Sequence, residues 1–469
     1  MLFNSFQFLL FLPVVIVLYY LIAERFTWIL LFVASCYFYM AFYPPYILIL
    51  FAIILIDYFS GLLIEKNTGT RRKLFLLISV VGNIGMLCYF KYFNFFIDVW
   101  NNFSAYTHAG NTFDIKSILL PIGLSFHTFQ SLSYTIEVYR GKQKAERHIG
   151  YFANYVLFFP QMVAGPIERY DRLGARLHEK HLYRYENIST GFKLVLYGLF
   201  IKMCVADNLA PIVNQVYEHP EKFGPGSIIT ALFAFSLQIY ADFYGYSTIA
   251  LGSAKMMGID LMDNFRQPYF ATSIRDFWQR WHISLSTWFR DYVFIPMGGS
   301  RVKTFRFVIN ILVVFILSGF WHGAQYTFLI WGALHGILYC IEFFANKIPG
   351  VNSISKIPAI KFLLGIKTFV LVTFIWIFFR AENFTAAKKI ISGVFHPAAA
   401  NASALDINYW IALPILIFFI LEISIVKKRI DTWLDKRPVY LRWNFYAVLL
   451  FCILLFSGVK SYEFIYFKF

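Results

Sequence analysis

Apolar runs of about 20 residues, the length a helix needs to cross a bilayer, recur along this chain and are separated by short polar connections. They fall at roughly 4–23, 27–43, 46–64, 74–98, 117–139, 191–206, 227–257, 305–323, 326–346, 361–380, 408–426 and 443–458. Only 14% of the 469 residues are charged and 59% are hydrophobic, whereas a soluble globular chain carries about 25% charged residues. The expected fold is all-α, a polytopic integral membrane protein with about 11–12 spans. Aromatic residues make up 21%, including 31 Tyr and 11 Trp, and amphipathic rings of these two types favour the headgroup layers on either side of a bilayer.

A net charge of +16 raises the question of nucleic acid, but the Lys and Arg residues lie in short loops between apolar runs and form no continuous basic face. Topology accounts for them. Cytoplasmic loops are enriched in Lys and Arg. Lys66, Arg71, Arg72 and Lys73 mark one such loop and Arg140, Lys142, Lys144 and Arg147 another, while 101–112 between them has neither residue type. The basic segments 169–184, 266–306 and 427–442 continue the inner side and place both termini outside. Inner basic loops also attract anionic headgroups and suit an acidic cytosolic donor, such as a coenzyme A phosphate or an acidic carrier protein. The five cysteines are scattered singly through apolar stretches, with no metal-ligand spacing. The start of the chain lacks a basic n-region and a cleavage site, so its first apolar run is expected to remain as a helix.

Two stretches do not read as simple spans. Residues 151–166 are apolar but short, contain Pro160, Gly165 and Pro166, and are flanked by basic segments, which suggests a re-entrant segment. In 273–299, Trp278, Trp281, Leu285, Trp288 and Tyr292 are spaced 3, 4, 3 and 4, one stripe of a helix. Arg280, Ser284, Thr287 and Asp291 form a polar row. The pattern predicts a helix lying in the interface plane, with His282 on its polar side beside Arg275, Gln279 and Ser286. No internal repeat or long linker appears, and 1–469 reads as a single integral domain.

Ionisable side chains within apolar runs are costly and mark functional positions. His322, in Ser318-Gly319-Phe320-Trp321-His322-Gly323-Ala324, is one. Imidazole, with an unperturbed pKa of about 6.5, suits removal of a proton from a hydroxyl, and the flanking glycines allow close approach of backbone or substrate. The alternative is a neutral histidine that only hydrogen-bonds a neighbouring helix. His335, thirteen residues on, would lie about 220 degrees away on a continuous helix and reads as structural, with support of a site residue as the alternative. His127 reads as structural as well. Asp57, Asp242 and Glu137 are acids in apolar runs that could orient a histidine or pair with an arginine. The G-x-S-x-G, H-E-x-x-H, Walker and G-x-G-x-x-G patterns are absent, which argues against a serine hydrolase and an ATP-driven pump.

The run from Asp276 to Tyr292 (DFWQRWHISLSTWFRDY), followed by Ile295-Pro296-Met297-Gly298-Gly299, closely resembles the signature of the membrane-bound O-acyltransferase family. So do Trp321-His322-Gly323-Ala324 and Trp331-Gly332-Ala333-Leu334-His335-Gly336. The segments 121–126, 158–167 and 241–247, and the closing Phe464-Ile465-Tyr466-Phe467-Lys468-Phe469, look like its bacterial branch of alginate and polysaccharide O-acetyltransferase membrane subunits. The resemblance covers essentially the whole chain, with signatures in about 120–345. It implies spans, re-entrant helices and interfacial helices around a central funnel or tunnel, with His322 as catalytic residue and His282 as the histidine of the Arg-Trp-His motif. It further implies no bound cofactor or metal, acetyl-CoA as acyl donor, and passage of acetyl across the inner (cytoplasmic) membrane to an exported polysaccharide. An extracytoplasmic SGNH-type acetyltransferase would be the receiving partner. A sister branch moves D-alanine from a carrier protein toward teichoic acid. A lipid-linked sugar or ion transporter with histidine proton relays is the reading from a different class, and it would call for repeats that the chain does not show.

Overall fold

Each of the apolar runs holds a helix in the computed structural model, which describes residues 1–469 except 109, 111, 117, 164, 180, 397–402, 427, 458–461 and 469. Several of these, Ser117, Ala164, Lys427, Gly458 and Phe469 among them, belong to segments singled out above and lie outside the described residues. Among the described residues, eight helices are long and apolar enough to cross a membrane: Pro44–Lys66, Gly69–Thr107, Tyr185–Glu218, Pro225–Met256, Thr304–His322, Tyr326–Ala345, Pro358–Arg380 and Val439–Phe456. Phe6–Leu21 and Tyr409–Ser424 are shorter apolar helices. The runs at 27–43 and 117–139 form helices Glu24–Met40 and Leu124–Tyr139. The second of these buries twelve of its sixteen residues, many of them Ser, Thr, Gln and His, so it is an internal polar helix more than a lipid-facing one. The protein is an all-α, multi-pass membrane protein.

The chain forms two compact units, one of Met1–Gly191 with Ser253–Met262, the other of Phe192–Gly252 with Asp263–Phe469. In the first unit the segment with Pro160 is two short helices, Ile149–Leu157 and Phe159–Met162, both almost wholly buried. Proline has no N–H to give to the carbonyl four residues back, which orphans the carbonyl of Val156. His127 Nδ1 lies 2.9 Å from that oxygen. The Phe159 N–H is diverted to Ser35 Oγ (3.1 Å), and the carbonyl of Tyr155 that it would have reached accepts from Gln161 Nε2 (2.9 Å) and Gln130 Nε2 instead. His127 is therefore structural, as the sequence suggested. Asp57 likewise belongs to a buried network, accepting from Ser79 Oγ (2.6 Å), Asn83 Nδ2 (2.8 Å) and Ser131 Oγ. Glu137 pairs with Arg140 and Lys142.

In the second unit Thr304–His322 and Tyr326–Ala345 form a helical hairpin, separated by the turn at Gly323–Gln325. His322 ends the first helix and His335 sits on the second, so the angle expected on one continuous helix does not apply. The two helices touch backbone to backbone. A Cβ at Gly319 would stand 2.2 Å from the carbonyl oxygen of Phe328, and one at Gly332 would stand 2.2 Å from that of Phe315. Small residues at helix contacts permit such approach within a membrane. Gly319, beside His322, gives the close approach of backbone that its place in the sequence suggested. Gly319→Ala or Gly332→Ala should force the helices apart and destabilise the protein by about 1–3 kcal/mol. Thermal unfolding of the detergent-solubilised protein measures this, and an unchanged midpoint would contradict the close contact.

Candidate active site

The aromatic stripe of 273–299 is not one helix. It breaks into Ile274–Trp278 and Ile283–Phe289, followed by a wider turn at Arg290–Phe294. In a continuous helix the N–H groups of Ile283 and Ser284 would reach the carbonyls of Gln279 and Arg280. Asn264 takes both: its backbone carbonyl accepts from Ile283 N (3.0 Å) and its side-chain Oδ1 from Ser284 N (3.2 Å). The Arg280 carbonyl in turn accepts from Arg266 N (3.0 Å).

His282 occupies the break with φ +43° and ψ +54°, a left-handed conformation that costs a non-glycine residue about 1–3 kcal/mol. Expected on a polar face, it is instead completely buried. The stripe keeps its spacing but serves as core: Trp278, Trp281, Leu285 and Trp288 are all buried. Trp281 packs on Trp376 (5.1 Å between ring centroids) and Trp278 on Trp331 (5.6 Å). This segment is therefore not an interfacial helix with its rings turned to lipid.

Around His282 stand Phe243 (4.7 Å), Trp321 (6.2 Å) and Tyr466 (6.4 Å). Its Nδ1 lies 3.2 Å from Asn264 Oδ1. Burial pushes the imidazole down to about 3, so the ring is neutral at neutral pH. His322, 3% exposed, packs against Trp321 (4.9 Å), Trp331 (5.1 Å), Phe379 (5.3 Å) and Tyr466 (5.5 Å). The two histidines are thus brought together around the shared rings of Trp321 and Tyr466. His335 packs on Trp331 (5.0 Å) and accepts a hydrogen bond from Trp278 Nε1 (3.3 Å). It holds the aromatic core in place.

Asn264 also lines a cavity of about 530 Å³ whose wall includes Arg266, Arg280, Lys428 and Arg429 together with Asp263 and Asp276. Arg280 is held by Asp276 (2.7 Å) and Arg429 by Asp431 (2.7 Å). Basic side chains outnumber acids on this wall, so the cavity favours an anion. Two buried imidazoles in an aromatic setting beside a cationic cavity can move a proton while an anionic group is held nearby.

The profile of the membrane-bound O-acyltransferase family matches residues 146–348, a stretch that includes Asn264, His282, His322 and His335. A probable alginate O-acetylase of Pseudomonas aeruginosa is 38% identical over 399 residues, covering 84% of this chain and 75% of its own. The chain belongs to the membrane-bound O-acyltransferase family. A peptidoglycan O-acetyltransferase of Helicobacter pylori is 32% identical over 394 residues, 78% of this chain and 73% of its own. A teichoic acid D-alanyltransferase of Bacillus subtilis is 32% identical over 237 residues, 48% of this chain and 59% of its own. The protein is a membrane-bound O-acyltransferase, and the transporter alternative falls.

Three features of the site of this acyltransferase escaped the sequence. Asn264 is one loop asparagine among several, with no local signal. Tyr466 drew notice only within the closing segment, yet its ring also packs on Phe243 (4.6 Å) and Phe464 (5.3 Å). The third is what holds that segment in place. Lys202 Nζ, 1% exposed, donates to Asp242 Oδ1 (2.6 Å), Asp207 Oδ1 (2.6 Å) and the carbonyl of Tyr462 (3.0 Å), and Asp242 Oδ2 accepts from Ile465 N (2.7 Å). A lysine in one apolar run and an aspartate in the next was the readable signal. Lys202→Met should leave both carboxylates without their buried counter-ion and cost on the order of 3–5 kcal/mol. Melting of the purified protein, with protease sensitivity of the C-terminal segment, tests this, and a wild-type melt would show that the cluster carries no such weight.

Proposed function

We propose that this acyltransferase moves acetyl from a cytosolic thioester, acetyl-CoA, across the inner (cytoplasmic) membrane for O-acetylation of an exported or cell-surface polysaccharide. His322 is the general base, or positions the acceptor, and His282 assists it. The observation that carries the reading is the convergence of both buried histidines on Trp321 and Tyr466, one of them tied through Asn264 to the wall of a cationic cavity. The printed names of the Pseudomonas and Helicobacter relatives, an alginate O-acetylase and a peptidoglycan O-acetyltransferase, support acetyl as the group and a polysaccharide as its destination. An SGNH-type partner outside the membrane is the expected receiver of the acetyl group.

The chemistry is acyl transfer from sulfur to oxygen. The acceptor oxygen attacks the thioester carbonyl, a carbon–oxygen bond forms as the carbon–sulfur bond breaks, and the hydroxyl proton passes to His322 and on to the departing thiol. Water must be kept away or the thioester would be hydrolysed, and the aromatic walls of the site do this. The phosphates of the donor suit the cavity lined by Arg266, Arg280, Lys428 and Arg429. Positive charge concentrated in these segments also fits the inner side of the membrane, where the donor is found.

His322→Ala should lower ester-linked acetate on surface polysaccharide by about 10²–10⁴-fold at matched membrane abundance. Mild alkaline release with separate quantitation of acetate and D-alanine measures it. Undiminished acetate would exclude His322 as the catalytic group, and loss of D-alanine in its place would move the protein to the teichoic acid branch. Reversing the two exposed cations together, Arg266→Glu with Lys428→Glu, should raise the donor concentration for half-maximal rate about tenfold, equivalent to ~1.4 kcal/mol, and leave the maximal rate nearly unchanged. A fall in maximal rate alone would remove the cavity from donor binding.

A further inference from the structure

The Asn264 oxygen that breaks the helix also decides which nitrogen of His282 carries the proton. A backbone N–H can only donate, so the Asn264 side-chain atom 3.2 Å from Ser284 N is its oxygen. The Ser284 hydroxyl, 2.9 Å from the same atom, fits that orientation. An amide turned the other way would set its NH₂ against the backbone N–H. This oxygen stands 3.2 Å from His282 Nδ1, and an acceptor there requires the hydrogen to be on Nδ1. In the neutral ring Nε2 then holds the lone pair. Asn264 is 2% exposed and His282 fully buried, so bulk water does not compete for the contact. The carbonyl of the same asparagine holds Ile283 N, which fixes the left-handed backbone at His282 and with it the direction of the ring.

We infer that Asn264 is a positioning residue that holds His282 as the Nδ1–H tautomer and makes Nε2 the proton-accepting atom of that histidine. The inference rests on the reading of His282 as a site residue. Asn264 acts through His282, by backbone and side chain together. Among the groups packed against His282 are Ser284 from its own segment, Phe243, Trp321 and the titratable Tyr466, which also packs on His322.

The test compares Asn264→Leu, Asn264→Asp and His282→Gln in membranes of cells making the full chain. Acetate ester formation from added acetyl-CoA is followed from about pH 3 to 9, so that the low titration of the buried His282 falls within the range, with membrane abundance and melting recorded. Asn264→Leu should reduce the maximal rate about 100-fold with little change in the half-saturating acetyl-CoA concentration. Asn264→Asp keeps an acceptor at Nδ1 and should stay within about tenfold of wild type. Its carboxylate favours the imidazolium, so the acidic limb of its rate profile should move up by about one pH unit. A wild-type rate in Asn264→Leu overturns the inference. If Asn264→Leu does not accumulate, the Asp variant decides: an upward shift supports the inference, and an unshifted limb overturns it. Full activity in His282→Gln overturns the reading of His282 itself, whereas an inactive His282→Gln beside a wild-type Asn264→Leu removes only the role given to Asn264.

Discussion

A backbone N–H or C=O in an apolar interior must find a partner, and no water is at hand to supply one. Everything distinctive in this protein follows from how that demand is met where a helix stops inside the fold. At Pro160 the missing N–H leaves the Val156 carbonyl to His127. The carbonyl of Tyr155 goes to Gln130 and Gln161, and the Phe159 N–H goes to Ser35. At His282 two N–H groups withdrawn from a helix are both taken by Asn264. In each case groups of the same unit outside the helix, most of them distant in sequence, replace a helical hydrogen bond, and an isolated helix has no such partners.

That substitution is what places polar chemistry in a buried setting. A regular helix through 274–289 would have put the stripe of Trp278, Trp281, Leu285 and Trp288 on one face and His282 on another. The break turns the histidine inward without removing the tryptophans from the core. The strain of the left-handed backbone is offset by the bonds that Asn264 accepts from Ile283 N and Ser284 N. The hairpin of Thr304–His322 and Tyr326–Ala345 supplies the second histidine. Its glycine contacts hold the two helices close, and Trp331 packs on both His322 and His335.

The sequence made the helical membrane class plain, because run length and low charge are local properties. His322 stood out for the same reason, as an imidazole in an apolar run. The resemblance of 276–299 and 321–336 to family signatures carried the activity, and the relatives agree with it. Spacing misled in 273–299: a 3-4-3-4 stripe demands only that the marked side chains share an environment, and two short helices joined by a tight break satisfy it as well as one. The competitor was Asn264, whose carbonyl and amide took the hydrogen bonds of the helix. Nothing within ten residues of His282 signals a contact made eighteen positions earlier. The same limit hid the ties of Lys202 to Tyr462 and of Asp242 to Ile465, each spanning more than 200 residues.

Four histidines lie in apolar segments of this chain, and residue type alone does not rank them. The partner of the Nδ1 nitrogen and the setting of the ring say more. A carbonyl can only accept, so the Val156 oxygen takes the Nδ1 hydrogen of His127 and makes that ring a helix-breaker's substitute N–H. Indole N–H can only donate, so Trp278 occupies the Nδ1 lone pair of His335. In the neutral ring its proton is then on Nε2 and no lone pair is left to accept another, which makes His335 a poor base however deeply it is set. His282 gives its Nδ1 hydrogen to an amide oxygen and keeps a lone pair on Nε2, in a pocket of rings it shares with His322. Burial is common to all four; the direction of the Nδ1 hydrogen bond sets His335 apart, and the pocket of rings shared with His322 sets His282 apart from His127, whose Nδ1 also donates.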